Sequence, residues 1–295
     1  PFEKWVSHGT ILKDDVKNAA KTETDDVKGL SGEALRRLQH ACGLTEEDMA
    51  LILPPMILEG KEALGSMGDD TPLAALSGRY RGMHHFFRQN FSQVTNPPID
   101  SLCERRVMSL LTRLGNLGNI LSEDKSQCQM LALPSPVLTN GEFNAVKKYL
   151  KKEVAEIDIT FPALNKPGIL QEALDRIREE AAAHVKEGRG HIVLTDESLS
   201  KERAIVPAIL AVAAVHTYLI REGLRSFSTI NVRTAEAMDP HHYAVLIGVG
   251  ATTVNAWLVQ ETIHDNIRNG RFKGLKLAEA MAQYKKAVND GLLKI

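Results

Sequence analysis

Two adjacent histidine pairs, His84-His85 and His241-His242, are the first residues in this sequence whose type points to chemistry, as metal ligands. Neighbouring residues on a helix point about 100° apart, and neither pair has a His or Glu partner one turn away. A packing or surface role is therefore expected for both. His216 lies in an apolar stretch and reads as a hydrogen-bonded core histidine. Asp196, Glu197 and Glu236 fall just after β-branched runs, where a β/α barrel places its acids and bases, yet charged loop residues there are usually solvated. Gly248-Val249-Gly250-Ala251 invites a dinucleotide reading. That motif needs a strand before the glycines, a helix after them and a third glycine; here a helix precedes, a strand comes after, and Thr253 takes the third place. Lys147, Lys148, Lys151 and Lys152 collect near one helix end, where they complement the dipole. No Ser-His-Asp, Gly-x-Ser-x-Gly, phosphate-loop or Cys-His pattern is present, and no strand-end lysine stands out as a Schiff-base former. No autonomous active site is legible.

The elements that must position these residues change character along the chain. Residues 1–29 show no sustained apolar period and read as a connector. Helical signals dominate from Ser31. Thr45-Glu46-Glu47-Asp48 is a capping box with Leu44 and Met49 as its hydrophobic staple, and Thr139-Asn140-Gly141-Glu142 is a second, stapled by Leu138 and Phe143. Beyond the second start, β-branched runs alternate with amphipathic helices. Strands are expected over 156–161, 191–195, 227–232 and 253–257. The first crossover helix carries Ile169, Leu170, Ala173, Leu174, Ile177, Ala181, His184 and Val185 in one stripe. The next, around 207–222, is apolar nearly all round and should be buried on two sides. Gly188, Gly223 and Gly250 stand where left-handed residues close helices. The prediction is an α/β fold with a parallel sheet, either open or half of a barrel, over 139–295, preceded by a helical, loop-rich part over 30–138.

Composition excludes several classes. With 36 Lys+Arg against 37 Asp+Glu, no basic field exists to hold a nucleic-acid backbone. The longest apolar run, Ile205 to Ile220, contains Pro207 and His216 and falls short of the roughly 20 residues that cross a bilayer. Cys42, Cys103 and Cys128 are odd in number and far apart, which fits neither a disulfide framework nor a zinc site and points to a reducing cytoplasm. The chain opens Pro-Phe-Glu-Lys-Trp without an initiator Met and reads as a piece of a longer polypeptide.

One region is unusually rich in loops, 65–119, and long irregular stretches in a domain tend to be functional. It holds Gly65-Ser66-Met67-Gly68-Asp69-Asp70-Thr71-Pro72, then Phe86-Phe87-Arg88-Gln89-Asn90-Phe91-Ser92-Gln93-Val94-Thr95-Asn96-Pro97-Pro98-Ile99-Asp100. Asp69 and Asp70 are suited to cap a helix after Pro72, with Arg88 and Gln89 as further structural loop residues, and Asn96 with two prolines fixes an extended exit.

These strings, with Leu110-Leu111-Thr112-Arg113-Leu114-Gly115-Asn116-Leu117-Gly118-Asn119-Ile120-Leu121, closely resemble the central domain of the glutamate synthase large chain, over about 29–295. The resemblance implies a domain without catalytic groups of its own, a rudimentary β/α barrel between a glutamine amidotransferase domain and an FMN-binding synthase domain. In such a parent, ammonia released from glutamine passes through a tunnel to a flavin and iron-sulfur site that makes glutamate from 2-oxoglutarate. FMN and the iron-sulfur cluster would belong to the adjoining domain, with none in this part, and the parent would pair with an electron-donating subunit or protein. The residues matching the family's tunnel-exit and 2-oxoglutarate-site wall are Met67 and Thr95, with Gly68, Asn96 and Pro97 shaping it. Around the last strand, where the family pattern carries Asp and Pro-Tyr, this chain reads Ala251-Thr252-Thr253-Val254-Asn255-Ala256-Trp257.

A different class of function stays open, an independent flavin- or phosphate-binding α/β barrel-type enzyme using Asp196, Glu197 and Glu236, for which a yellow purified protein would speak. A third, a self-associating structural module, would show as oligomers driven by the apolar helix around 207–222.

Overall fold

The first described helix, α1 (Gly32–Ala41), buries Leu35 and closes with the Cys42 N–H on the Leu38 and Gln39 carbonyls. In the computed structural model the described residues are 29–64, 76, 82–88, 99–100, 102–122, 125–128 and 130–295. Nearly all of the connector expected over 1–29 lies outside them. The capping box at Thr45 forms as its sequence predicts: the Thr45 N–H donates to Asp48 Oδ2 at 2.8 Å and the Asp48 N–H to Thr45 Oγ1 at 3.1 Å. The chain then makes a π-helical turn, Asp48–Ile52, before α2 (Leu53–Leu58). Pro54 and Pro55 supply no N–H and crowd the carbonyls four residues back, which widens the turn. Farther on come a 3₁₀ turn, Met83–Phe86, the short α3 (Glu104–Val107), and an antiparallel ribbon of β1 (Thr112–Leu114) with β2 (Leu131–Leu133).

The second part is built on βα units. α4 (Asn140–Leu150) starts at Thr139 with a complete capping box. It leads to β3 (Val154–Asp158), β4 (Thr160–Pro162) and α5 (Ile169–Lys186), then β5 (His191–Thr195), β6 (Arg203–Ile205) and α6 (Ala208–Arg221). β7 (Thr229–Thr234), α7 (Pro240–Gly248), β8 (Thr253–Ala256), α8 (Trp257–Arg268) and α9 (Leu277–Lys294) complete it. β3, β5, β7 and β8 form one parallel sheet in that order. Strand neighbours in space are thus neighbours along the chain, as in a β/α barrel. Pro136–Leu138 adds a fifth extended piece on the free edge of β8, with the Leu138 N–H on the Val254 carbonyl and the Val254 N–H on that of Pro136. Among the described residues the sheet stays open.

The register explains the two faces. Ile157, Leu194, Val232 and Val254 are in register and lie in the main core with α5, α6, α7 and α8. The other face carries His191 with Thr229, then Val193, Asn231 and Thr253, then Arg233 and Asn255. α4 covers it, packing Phe143 and Val146 with Val193 and the β1–β2 leucines. This face of the sheet is therefore covered by a helix and a small ribbon. Leu35, Met49, Leu53, Met56 and Ile57 share the main core with Ala287 and Val288 of α9, so the N-terminal helices and the βα units pack as one body.

Two strand expectations shift. The run 156–161 breaks at Asp158, whose Oδ1 accepts from both the Thr160 N–H and Oγ1, and the remainder pairs antiparallel with β6. The run 227–232 starts later because Arg225–Phe227 is a 3₁₀ turn, with the Phe227 N–H on the Leu224 carbonyl. α6 is buried on both sides as expected, against the sheet and between α5 and α7.

Candidate functional site

In a parallel βα fold the groups available for chemistry stand at the carboxyl ends of the strands. Here those ends meet at Asp196, fully buried after β5. Trp257 Nε1–H donates to its Oδ1 at 2.6 Å, and Thr234 Oγ1–H and the Ala235 N–H donate to its Oδ2 at 2.7 and 2.8 Å. All three partners are donors, the arrangement that suits a carboxylate. Burial nevertheless pushes its pKa up to about 7, with the three hydrogen bonds pulling against it. Asp196 thereby ties the ends of β5, β7 and β8 together.

The neighbouring acids are engaged as well. Glu197 Oε2 lies 2.8 Å from Arg233 Nε, while Arg233 NH1 donates to Asn255 Oδ1 at 3.1 Å and its guanidinium stacks 5.1 Å above the Phe143 ring. Glu236 Oε2 accepts the Ala208 N–H at 2.7 Å. Pro207, at the N-cap of α6, has no side-chain acceptor, so the next βα unit supplies one. Asp239 does the same for α7, accepting the His242 N–H at 3.0 Å. The expectation that strand-end carboxylates are solvated is corrected: Glu197 and Glu236 are half-buried and bonded, and Asp196 is sealed in. Cys42, buried near this cluster, has its thiol pKa driven up by burial and then by Asp196 and Glu236, which keeps it a neutral thiol.

The two histidine pairs, far apart in sequence, come together. The 3₁₀ turn Met83–Phe86 lies against α6 and the start of α7, with the His84 ring 3.5 Å from that of His242, centre to centre. His241 Nε2 donates to the His84 carbonyl at 3.0 Å, and His242 Nδ1 accepts the Met238 N–H at 3.0 Å. Burial and then the imidazoles of His242 and His85 push the pKa of His84 down to about 2, against the pull of Asp239. Burial, His241 and His85 push that of His242 to about 3. Both rings are neutral at ordinary pH. Among the described residues no three His, Cys, Asp or Glu side chains are arranged to hold a metal ion. His216 is hydrogen-bonded as expected, its Nδ1 accepting from Arg225 Nε at 3.0 Å, but it is half-buried and not a core residue.

Of the residues singled out from the loop strings, Met67, Gly68, Asp69, Asp70, Gln89, Thr95, Asn96 and Pro97 lie outside the described residues. Arg88 is described; it is exposed, on extended chain just past the 3₁₀ turn. Sequence reasoning missed the donors Trp257 and Thr234 and the meeting of the histidine pairs. No local spacing signals contacts made across separate βα units.

Compared with known proteins, residues 37–295 match the family described as the glutamate synthase central domain. The whole chain is 59% identical to the large chain of the NADPH glutamate synthase of Azospirillum brasilense, covering 19% of it. It is 34% identical over its whole length to the corresponding large chain of Bacillus subtilis, again covering 19%. It is 36% identical over its whole length to the ferredoxin-dependent glutamate synthase 2 of a Synechocystis species, also covering 19%. The chain spans about a fifth of the length of these curated relatives.

Proposed function

The chain belongs to the glutamate synthase central-domain family, and from that premise we propose that it is a non-catalytic joining domain of a glutamate synthase. In this reading the longer chain makes glutamate from glutamine and 2-oxoglutarate. The present part joins its amidotransferase and FMN-binding domains, with Met67, Gly68, Thr95, Asn96 and Pro97 forming a wall of the ammonia passage and the 2-oxoglutarate site. Residues with small or apolar surfaces suit a conduit for neutral ammonia, and exclusion of water keeps ammonia from being protonated on the way.

One observation carries the non-catalytic part of the reading: the strand-end groups are consumed internally. Asp196 has three donors on its two oxygens, Glu197 is paired with Arg233, and Glu236 caps α6. A general acid or base needs a free reach to substrate, which these geometries deny. The same observation disfavours the independent flavin- or phosphate-binding enzyme. A flavin phosphate in a barrel fold takes backbone N–H groups at a helix N-terminus. At α6 the Ala208 N–H already faces the carboxylate of Glu236, and at α7 the His242 N–H that of Asp239, which disfavours a second anion at either helix start. FMN and the iron-sulfur cluster are accordingly assigned to the adjoining domain, and NADPH, NADH or ferredoxin, after which the relatives are named, to the supply of electrons.

The test is Thr95→Val in the intact enzyme. The expected outcome is a larger loss of glutamine-dependent glutamate synthesis than of glutamine hydrolysis, measured on the same preparation. Wild-type kinetics in both assays would remove Thr95 from the wall.

A further inference from the structure

The turn Met83–Phe86 docks on α6 and the start of α7 with imidazole against imidazole, a contact built for uncharged rings. We propose that the turn is an acid-released latch: it stays docked while the His84 and His242 rings are both neutral, and it lets go, as a local event ahead of any unfolding of the α/β body, when His84 takes up a proton. This goes beyond the joining role and does not depend on it.

The hydrogen bonds around the rings set their proton states. His242 Nδ1 accepts the Met238 N–H at 3.0 Å, so a neutral His242 carries its proton on Nε2 and has no free lone pair to offer a charged neighbour. The His84 ring lies 3.5 Å from that of His242 and 4.4 Å from that of His85, centre to centre, with His241 edge-on at 6.5 Å. A charge on His84 would be packed among three other imidazoles. Asp239, at the N-cap of α7, pulls the other way, but its carboxylate already takes the His242 N–H and it offsets only part of the cost: burial first, then His242 and His85, hold the His84 pKa down to about 2. Glu236, bonded to the Ala208 N–H, lines the pocket that Met83 enters, and α6 brings the uncharged Ala208 and Ile209.

The turn is also built to move by itself. Met83 and His84 are half-buried and His85 and Phe86 exposed, so detaching the turn uncovers none of the main core. Gly82 has φ +67, and a Cβ there would meet the His84 ring at 2.6 Å, so the ring folds back over its own backbone only past a glycine. The His84 carbonyl takes two donors at once, the Phe87 N–H at 3.1 Å and His241 Nε2–H at 3.0 Å. Closing the turn and docking it therefore use the same atom, and the Phe87 amide reports on both.

Hydrogen exchange of the full-length polypeptide, read at the Phe87 amide and corrected for the intrinsic effect of pH, measures the release directly. A ring that stays unprotonated when docked and takes a proton near pH 6.5 when released makes the opening constant rise about thirtyfold from pH 7.5 to 5. That rise is the expected result, with Phe87 exchanging faster than the amides of β7 at every pH. His84→Phe keeps a flat ring against His242 and has no proton to bind, so its opening constant should change less than about threefold over the same range. Three results overturn the latch: a wild-type rise below about threefold, a His84→Phe variant that keeps the full rise, or Phe87 exchange no faster than that of β7, which ties release to unfolding of the body. The first and the last are read on wild type alone and decide the matter where His84→Phe yields no soluble protein.

Discussion

Asp196 shows how a residue with the position of a catalyst can be given a structural task. Its three donors come from Thr234, Ala235 and Trp257, at the ends of β7 and β8. Asp196→Asn replaces one acceptor oxygen by an NH₂ group and sets donor against donor in a fully buried site. The expected loss is about 2–3 kcal/mol of stability, the usual cost of an unsatisfied buried polar group, read as a lower denaturant midpoint at unchanged slope. A midpoint shift worth under about 0.5 kcal/mol would mean that the carboxylate contributes little to joining the strands. The sequence placed Asp196, Glu197 and Glu236 at strand ends correctly. It was silent on their engagement, because each partner lies in a different βα unit. The same limit hid the meeting of His84 with His242: each pair taken alone excluded a shared face, and the shared face is made by two segments.

Elements were most legible where one short string carries the whole signal. The Thr139 box needs only Thr139 and Glu142, and both of its bonds form, at 2.9 and 3.2 Å. Strand limits were less legible, since Asp158 and the Arg225–Phe227 turn act through backbone bonds that β-branched composition does not register. The α7–β8 junction shows what a glycine there does beyond ending a helix. Gly250 adopts φ +122, and a Cβ would stand 2.5 Å from His216 Nδ1, the atom that accepts from Arg225. Arg225 also donates to the Gly250 carbonyl at 3.1 Å and that of Ser228 at 2.7 Å, bracing α6 against the entries to β7 and β8. Gly250→Ala should therefore cost about 2–4 kcal/mol, from backbone strain plus the displaced hydrogen bond. Adding His216→Ala removes the two ring contacts and leaves the backbone strain and the His216 Cβ at 2.9 Å, so the double variant should be more stable than the sum of the singles predicts. Additivity within about 0.5 kcal/mol would show that the contact with His216 is not the cause.

At the scale of the molecule, alternating strands and helices were enough to predict a parallel sheet and a partial barrel, because βα repeats permit little else. The covering of the sheet's second face was not legible: the apolar stripe of α4 says that one face is buried and not against what. The passage wall rests on loop strings whose meaning came from family resemblance. The packed body does make one collective commitment that can be tested on this chain by itself, namely that its packed histidines are neutral. His84 and His242 titrate in the fold near 2 and 3, and burial also lowers His191 and His216. An unfolded chain protonates these rings near pH 6.5, so below that value it binds more protons than the fold. The stability that His84 and His242 contribute is complete above about pH 6.5 and is lost as pH falls toward their folded values, at about 2 kcal/mol per ring by pH 5. Asp196 has the opposite sign, since a raised carboxyl pKa makes the fold gain stability as pH falls from about 7. Asp239 faces His84 and lowers the cost of charging it, and Glu236 lines the same pocket. The difference between wild type and His84→Phe isolates one ring from these other titrations. Urea midpoints between pH 7.5 and 5 should fall more steeply for wild type than for His84→Phe, by the equivalent of about one proton taken up on unfolding. Parallel curves would place the His84 ring in water and not against His242.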